Sequence, residues 1–268
     1  MAWRQLQATQ SQVEIARDTQ VTNLLTQAAN QLGNKDSGVR VGGIYSLGRI
    51  ARVSERDRNA IAQTLTSYVQ DNSPWLARIP RPRQATGQSA SSYATPGCTD
   101  AFSAEELNAI TPLQVKKPDV QAAMLVLGHI PREGILFRSF LRGVDLRSAN
   151  MDDLDLTGAI LIGSNLVLSN FEGTRLDEAE FSTQGGVFCS AHLEGSYLHR
   201  ASFVRADLRG AFLTHADFTN ANFTEAKVEG ADLRGVNLDT ATFTNAVADG
   251  TTKWPEGFDP KAAGVILK

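Results

Sequence analysis

From residue 134 onward an apolar side chain returns at every fifth position. One series of centres includes Leu141, Leu146, Met151, Leu156, Phe171 and Phe181. A second includes Phe188, Phe203, Leu208, Phe218, Phe223, Leu233 and Phe243. The residue two before a centre is small, as at Ala201, Ala221 and Ala241. The residue just before it is often Asp or Asn, as at Asp145, Asn150, Asp155, Asp207, Asn222 and Asp232. A period of five fits neither the 3.6-residue helix nor the alternating strand. One large and one small inward position per unit suit a narrow solenoid. Each unit is too short to bury a core alone and stacks on its neighbours.

The recurring unit reads A(D/N)LXX, and ADLRG occurs at Ala206–Gly210 and again at Ala231–Gly235. On these residues the segment 134–250 resembles the pentapeptide-repeat family of bacterial proteins. The resemblance implies a right-handed quadrilateral parallel β-helix with four units per coil. A 20-residue step agrees with that count, since Phe203, Phe223 and Phe243 fall on it, as do Ala201, Ala221 and Ala241. Apart from Leu141, the centres named above and the three alanines are the predicted structural core of the repeat. The two series are out of phase by two residues, which predicts a short insertion at Thr183–Gly186, read as a tolerated bulge or a recognition loop. Leu154 and Thr174 stand where alanine is expected, so the first coils are predicted to be less regular. Pairs one coil apart, Asp155 with Arg175 and Asp207 with Lys227, predict salt bridges between coils.

The first half is patterned for helices. Apolar positions suggest a long helix over 4–32, firm only from Val21 onward, and a second over about 38–52 with Val39, Ile44, Leu47, Ile50 and Ala51 inward. A third follows Ser54, with Ile61, Leu65 and Val69 on its inner face. The segment Gln20–Val69, with its VRVGGIYSLGRIAR and SERDR runs, resembles the helical segment that precedes pentapeptide repeats in many bacterial proteins. Its stretch Val39–Ile50 is similar to one unit of a HEAT-type helical hairpin. The expected architecture is therefore α+β in two parts. It comprises an all-α domain over 1–72, a Pro-, Ser- and Gly-rich linker with a short helix over 73–117, a capping helix over 118–133, the β-helix over 134–250 and a C-terminal cap over 251–268. Trp254 and Phe258 are expected to close the last coil.

Chemistry is sparse by comparison. Cys98 and Cys189 cannot build a disulfide framework and read as free thiols of a reducing compartment. His192, His199 and His215 occupy outward repeat positions and read as solvated surface, and no metal site, cofactor site or catalytic constellation is expected. The glycines lack the spacing of a phosphate loop. Residues 1–133 carry 14 basic and 11 acidic side chains, and 134–250 carry 9 and 16, so the repeat half is acidic. That disfavours direct binding of nucleic acid there. Arg49, Arg52, Arg56 and Arg58, together with Arg40, form a basic cluster suited to an acidic partner or to anionic lipid headgroups. No apolar run approaches the ~18 residues of a spanning helix. The expected setting is cytoplasmic, or the cytoplasmic side of a membrane if an anchor normally precedes the chain. The expected role is a non-enzymatic protein-binding scaffold, with a homodimer left open. The alternative is a DNA mimic that binds or protects a type II topoisomerase such as gyrase.

Overall fold

The computed structural model describes residues 2–75, 113–131, 141–162, 164–181 and 191–268. The helical part comprises α1 (Ala2–Leu32), α2 (Ser37–Val53), a 3-10 turn (Glu55–Asp57) running into α3 (Arg58–Asn72), the single turn α4 (Leu113–Lys116) and α5 (Pro118–His129). Helix α2 starts where the Asp36 carboxylate accepts the Gly38 N–H, satisfying one of the donors a helix N-terminus leaves unpaired. Helix α5 opens on Pro118, whose missing N–H costs nothing in the first turn. Ala28, Ile44, Leu47, Ala51, Ile61, Leu65, Val69, Val120 and Met124 bury a common core between α1, α2, α3 and α5. Val39, expected inward, is instead 36% exposed. Residues 9–20 of α1 are exposed throughout, which is why their apolar periodicity is weak.

The repeats form parallel ladders. Asp145 pairs with Asn165, Asn150 with Asn170, Asp155 with Arg175 and Ile160 with Glu180, each one 20-residue coil apart. These four pairings define four columns of inward centres. One column runs Leu141, Leu161, Phe181, Leu208, Val228 and Ala248, all buried. Another stacks Phe203, Phe223 and Phe243 with ring centroids 4.9 and 4.7 Å apart and planes nearly parallel. Phe218 meets Phe223 edge-on from the neighbouring column at 5.1 Å. Leu146, Met151, Leu156, Phe171, Leu233, Ala201 and Ala221 are buried in this interior, and Ala241 packs against it partly exposed.

Local hydrogen bonds account for the unit's consensus. The Asp or Asn before each centre turns its side chain to the N–H two residues on, as Asp155 does to Thr157, Asn170 to Glu172 and Asn222 to Thr224. This closes an Asx turn at each corner. The residue two after the centre then takes a left-handed conformation, at Gly210, Gly230 and Gly235 but also at Arg205, Glu225 and Asn245. Where the small position is Ser or Thr, its hydroxyl donates to the carbonyl of a centre one coil earlier. Ser164 reaches Leu141, Ser169 reaches Leu146 and Thr174 reaches Met151. Thr174 is thus a regular solution to the same packing problem. Leu154 is different: its side chain lies under α5, where a Cβ added at Gly128 would come within 2.6 Å of it.

The inserted length differs from the expectation. Asn165 pairs with His192, Asn170 with Tyr197 and Glu180 with Asp207, each 27 residues on by their numbers rather than 20. The centre that follows Phe181 around the coil is therefore Leu193, and the Ala191 N–H donates to the Phe181 carbonyl at 3.2 Å. Seven extra residues, not two, are accommodated. Seven exceeds one five-residue period by two, so the phase of the sequence pattern showed only the remainder. Phe188, expected as a repeat centre, and Thr183–Gly186 lie outside the described residues. The Ser103–Ile110 helix candidate and most of the expected linker lie outside them too.

Both ends of the ladder are covered. At the first coil the Asp145 N–H donates to the Ser73 carbonyl at 2.7 Å, the Asn150 N–H to Gln121 Oε1 at 2.8 Å and the Asp155 N–H to the Gly128 carbonyl at 3.1 Å. Three sides of the starting edge thus find acceptors in the chain after α3 and in α5. At the other end a two-residue parallel pair, β1 (Val247–Ala248) with β2 (Ile266–Leu267), extends the ladder. Trp254 and Phe258 pack on Phe243 with centroids 5.8 and 5.6 Å away.

The capping helix is locked to the helical core by an ion pair. Arg40 of α2 donates through Nε to Asp119 Oδ2 of α5 at 2.7 Å, and the Tyr68 hydroxyl of α3 donates to the same oxygen at 2.5 Å. Burial pushes the Asp119 carboxyl up, but the hydrogen bonds from Tyr68 and Arg40 outweigh it and hold it below the ordinary carboxylate value. Burial, and then Asp119, push the Tyr68 phenol up to about 12.

Phe223→Ala should lose about 3–5 kcal/mol through a mid-column cavity, and Ala221→Leu about 1–3 kcal/mol through overpacking, both read by urea denaturation. Asp119 is depressed, so its contribution is complete above its unfolded value near 4 and lost as pH falls through the lower folded one. Tyr68 is raised, so its contribution is complete below about 10 and lost as pH rises through about 12. Stability measured against pH should therefore fall at both extremes. Asp119→Asn should flatten the acid limb and cost about 2–4 kcal/mol at neutral pH.

Candidate functional site

The interior of the solenoid is packed side chain on side chain, so chemistry has to be sought on its outside and on the helices. The basic cluster is the first place to look, and the structure divides it. Arg56 donates to Asp18 Oδ2 of α1 at 3.0 Å, and Asp18 holds its guanidinium above the ordinary value. Arg58 turns inward and donates through Nε to the Ala51 carbonyl at 3.0 Å. Arg40 is committed to Asp119. Arg49 and Arg52 remain, exposed and with no acidic partner among the described residues.

Those two arginines share a face of α2 with Tyr45, at spacings of four and three residues. Across from them stand Leu125, Val126 and His129 of α5, and the two rows enclose a groove of about 400 Å³. Its floor exists because Gly48 has no side chain. A Cβ there would lie 2.8 Å from Val126 Cγ1, so the two helices approach as closely as a bare backbone allows. Tyr45 is 48% exposed and Val126 is buried, which makes the groove apolar below and basic at the rim. His129 Nδ1 donates to the Leu125 carbonyl at 2.7 Å, which anchors the ring and leaves Nε2 as its other polar atom.

The histidines of the repeat part do not converge. His192, expected to be solvated, is 4% exposed: its ring stacks on Phe212 with centroids 4.7 Å apart, and its Nδ1 lies 3.0 Å from Glu194 Oε1. His199 sits 3.6 Å from Glu172 on another column, and His215 packs near Gly235. Among the described residues no three side chains are grouped so as to hold a metal ion, and no helix is long and apolar enough to cross a membrane. Cys98 and Cys189 lie outside the described residues.

The acidity of the repeat surface is largely tied up locally. In the DLR and ADLRG units Asp145, Asp207 and Asp232 are gripped by Arg147, Arg209 and Arg234 two residues on, with Nε to Oδ1 distances of 2.8, 2.7 and 2.8 Å. Asp155 meets Arg175 at 3.3 Å as the sequence suggested. The carboxylate of Asp207 is taken by Arg209, its neighbour within the turn, and no ion pair joins it to Lys227. Among the described repeat residues 141–243, the large apolar side chain that stands clear is Tyr197, 59% exposed on the ladder Asn150, Asn170, Tyr197, Asp217 and Asn237.

The family model for pentapeptide repeats matches in 8 copies, over residues 136–161, 187–220, 201–239 and 221–252. Among solved structures, a pentapeptide repeat protein from Nostoc (alr5209) is 29% identical, covering 44% of this chain and 84% of its own, with a TM-score of 0.23. HetL, a pentapeptide repeat protein involved in heterocyst differentiation regulation in Nostoc, is 26% identical over 50% of this chain and 61% of its own, at 0.22. QnrB1, a plasmid-mediated fluoroquinolone resistance protein, is 18% identical over 49% of this chain and 66% of its own, at 0.26. No curated protein matches the chain.

Two of the glycines of α2, Gly42 and Gly48, give the groove a test. Gly42→Ala has open space around it and should stabilise by about 0.5–1 kcal/mol, as alanine does in a helix. Gly48→Ala should instead lose about 1–2 kcal/mol by pushing α2 off Val126. Thermal melts of the two variants should therefore move in opposite directions.

Proposed function

Taking as premise that this chain belongs to the pentapeptide-repeat family through its C-terminal part, we propose that it is a non-enzymatic protein-binding module whose β-helix is a right-handed rod. The observation that carries this reading is the filled interior: Phe171, Phe181, Phe203, Phe218 and Phe223 are buried to 0% exposure, so the rod can act only through its outer faces. A rigid scaffold of that kind suits recognition, because little conformational freedom is lost on binding. Tyr197 is the natural anchor on the repeat face, since exposed aromatic side chains dominate binding energy at interfaces.

The second reading is a DNA mimic acting on a type II topoisomerase, favoured by the 16 acidic against 9 basic side chains over 134–250. It is the weaker one. The bidentate Asp–Arg pairs within turns neutralise carboxylates that a mimic of the phosphate backbone would need to present. A gyrase supercoiling assay with the purified chain decides it: protection or inhibition would promote the mimic.

The binding reading is tested by affinity capture from lysate of the source organism, comparing the wild type with Tyr197→Ala. This side chain is exposed, so melting should stay unchanged while capture of a specific protein falls about tenfold or more. Capture insensitive to substitutions on every exposed face of the rod would defeat the proposal.

A further inference from the structure

Two cationic side chains with no acidic partner among the described residues, set over an apolar floor, are an incomplete arrangement. Arg49 and Arg52 stand one turn apart at the rim of the α2–α5 groove, Tyr45 stands one turn before them, and Leu125, Val126 and His129 form the opposite wall. Of the nearby acids, Asp18 and Asp57 are engaged with Arg56, and Asp119 with Arg40 and Tyr68. We propose that this groove docks an acidic segment of a partner protein. An Asp or Glu carboxylate would sit between Arg49 and Arg52, and an apolar neighbour would lie on the floor made by Gly48 and Val126. The proposal rests on the protein-binding reading and gives it a recognition chemistry at a place apart from the solenoid.

Charge and shape together select that occupant. Arginine presents a planar fork that matches a carboxylate, and two of them one turn apart converge on one or two anionic groups. A lipid headgroup layer or a nucleic acid backbone calls for a broader basic field, on the order of four to eight cations for polybasic membrane binding. Of the four clustered arginines Arg49, Arg52, Arg56 and Arg58, the structure turns Arg56 to Asp18 and Arg58 to the Ala51 carbonyl, so two are left. A narrow apolar floor flanked by Tyr45 also has no purpose for a bare inorganic anion, whereas it accepts the apolar side chain beside an acidic one. His129, anchored through Nδ1 to the Leu125 carbonyl, closes the end of the site.

The test is selection of a phage-displayed library of random peptides on the full chain, followed by fluorescence anisotropy with the enriched peptides in labelled form. Enriched sequences should pair Asp or Glu with an adjacent apolar residue. Their affinity should fall about tenfold for Arg49→Gln and again for Arg52→Gln, weaken with added salt, and hold for Arg56→Gln, whose guanidinium is already paired. Circular dichroism should show all three variants folded, since the three side chains are exposed. Enrichment without acidic residues, no enrichment, or equal binding by the Arg49→Gln/Arg52→Gln variant would overturn the proposal. Binding of phosphatidylserine vesicles or inorganic phosphate through the same two arginines in place of peptides would overturn it as well. A protein whose capture depends on Tyr197 but is untouched by the double arginine variant would leave the binding reading intact and remove the groove.

Discussion

A parallel ladder begins and ends on a row of backbone groups with nothing to bond, and such groups are costly to bury and dangerous to expose. That requirement organises this chain. The first coil's open donors at Asp145, Asn150 and Asp155 are met by Ser73, Gln121 and Gly128, so the region after α3 and the whole of α5 are bound to the solenoid as its cap. Once α5 is fixed there, the rest of the helical part follows. Gly48 lets α2 lie close on Val126, and Arg40 and Tyr68 reach Asp119 across three helices. The helices form a lid whose inner surface meets the ladder edge and whose outer surface carries the groove.

The outward positions of the repeat show how one residue serves two purposes. The carboxylate or amide before each centre looks like surface charge, yet its first role is to hold the N–H two residues on and turn the chain. When that next residue is arginine, the same carboxylate also becomes an ion-pair partner, and the Asp232 carboxyl is held below the ordinary value first by Arg234. Formal charge therefore overstates what the rod presents to a partner. The groove is the reverse case: a modest count of arginines includes two that meet no acid among the described residues.

The five-residue pattern was enough to determine the ladder, the inward centres and the alternation of large and small, because a repeat stacked on copies of itself has only nearest-neighbour contacts, all written locally. The aromatic cap at Trp254 and Phe258 and the α2 and α3 core faces were legible for the same reason. Contacts between unlike parts were decided only in three dimensions. The length of the insertion was hidden because a pattern of period five reports length only as a remainder. Leu154 and Val39 ran against their patterns because the surface each one meets, α5 for the first and solvent for the second, belongs to the tertiary arrangement. Arg49 and Arg52 could not be told from Arg56 and Arg58 in the sequence. What separates them is which guanidinium finds an acid or a carbonyl nearby, and that depends on where α1 and α5 pack rather than on the order of residues along α2.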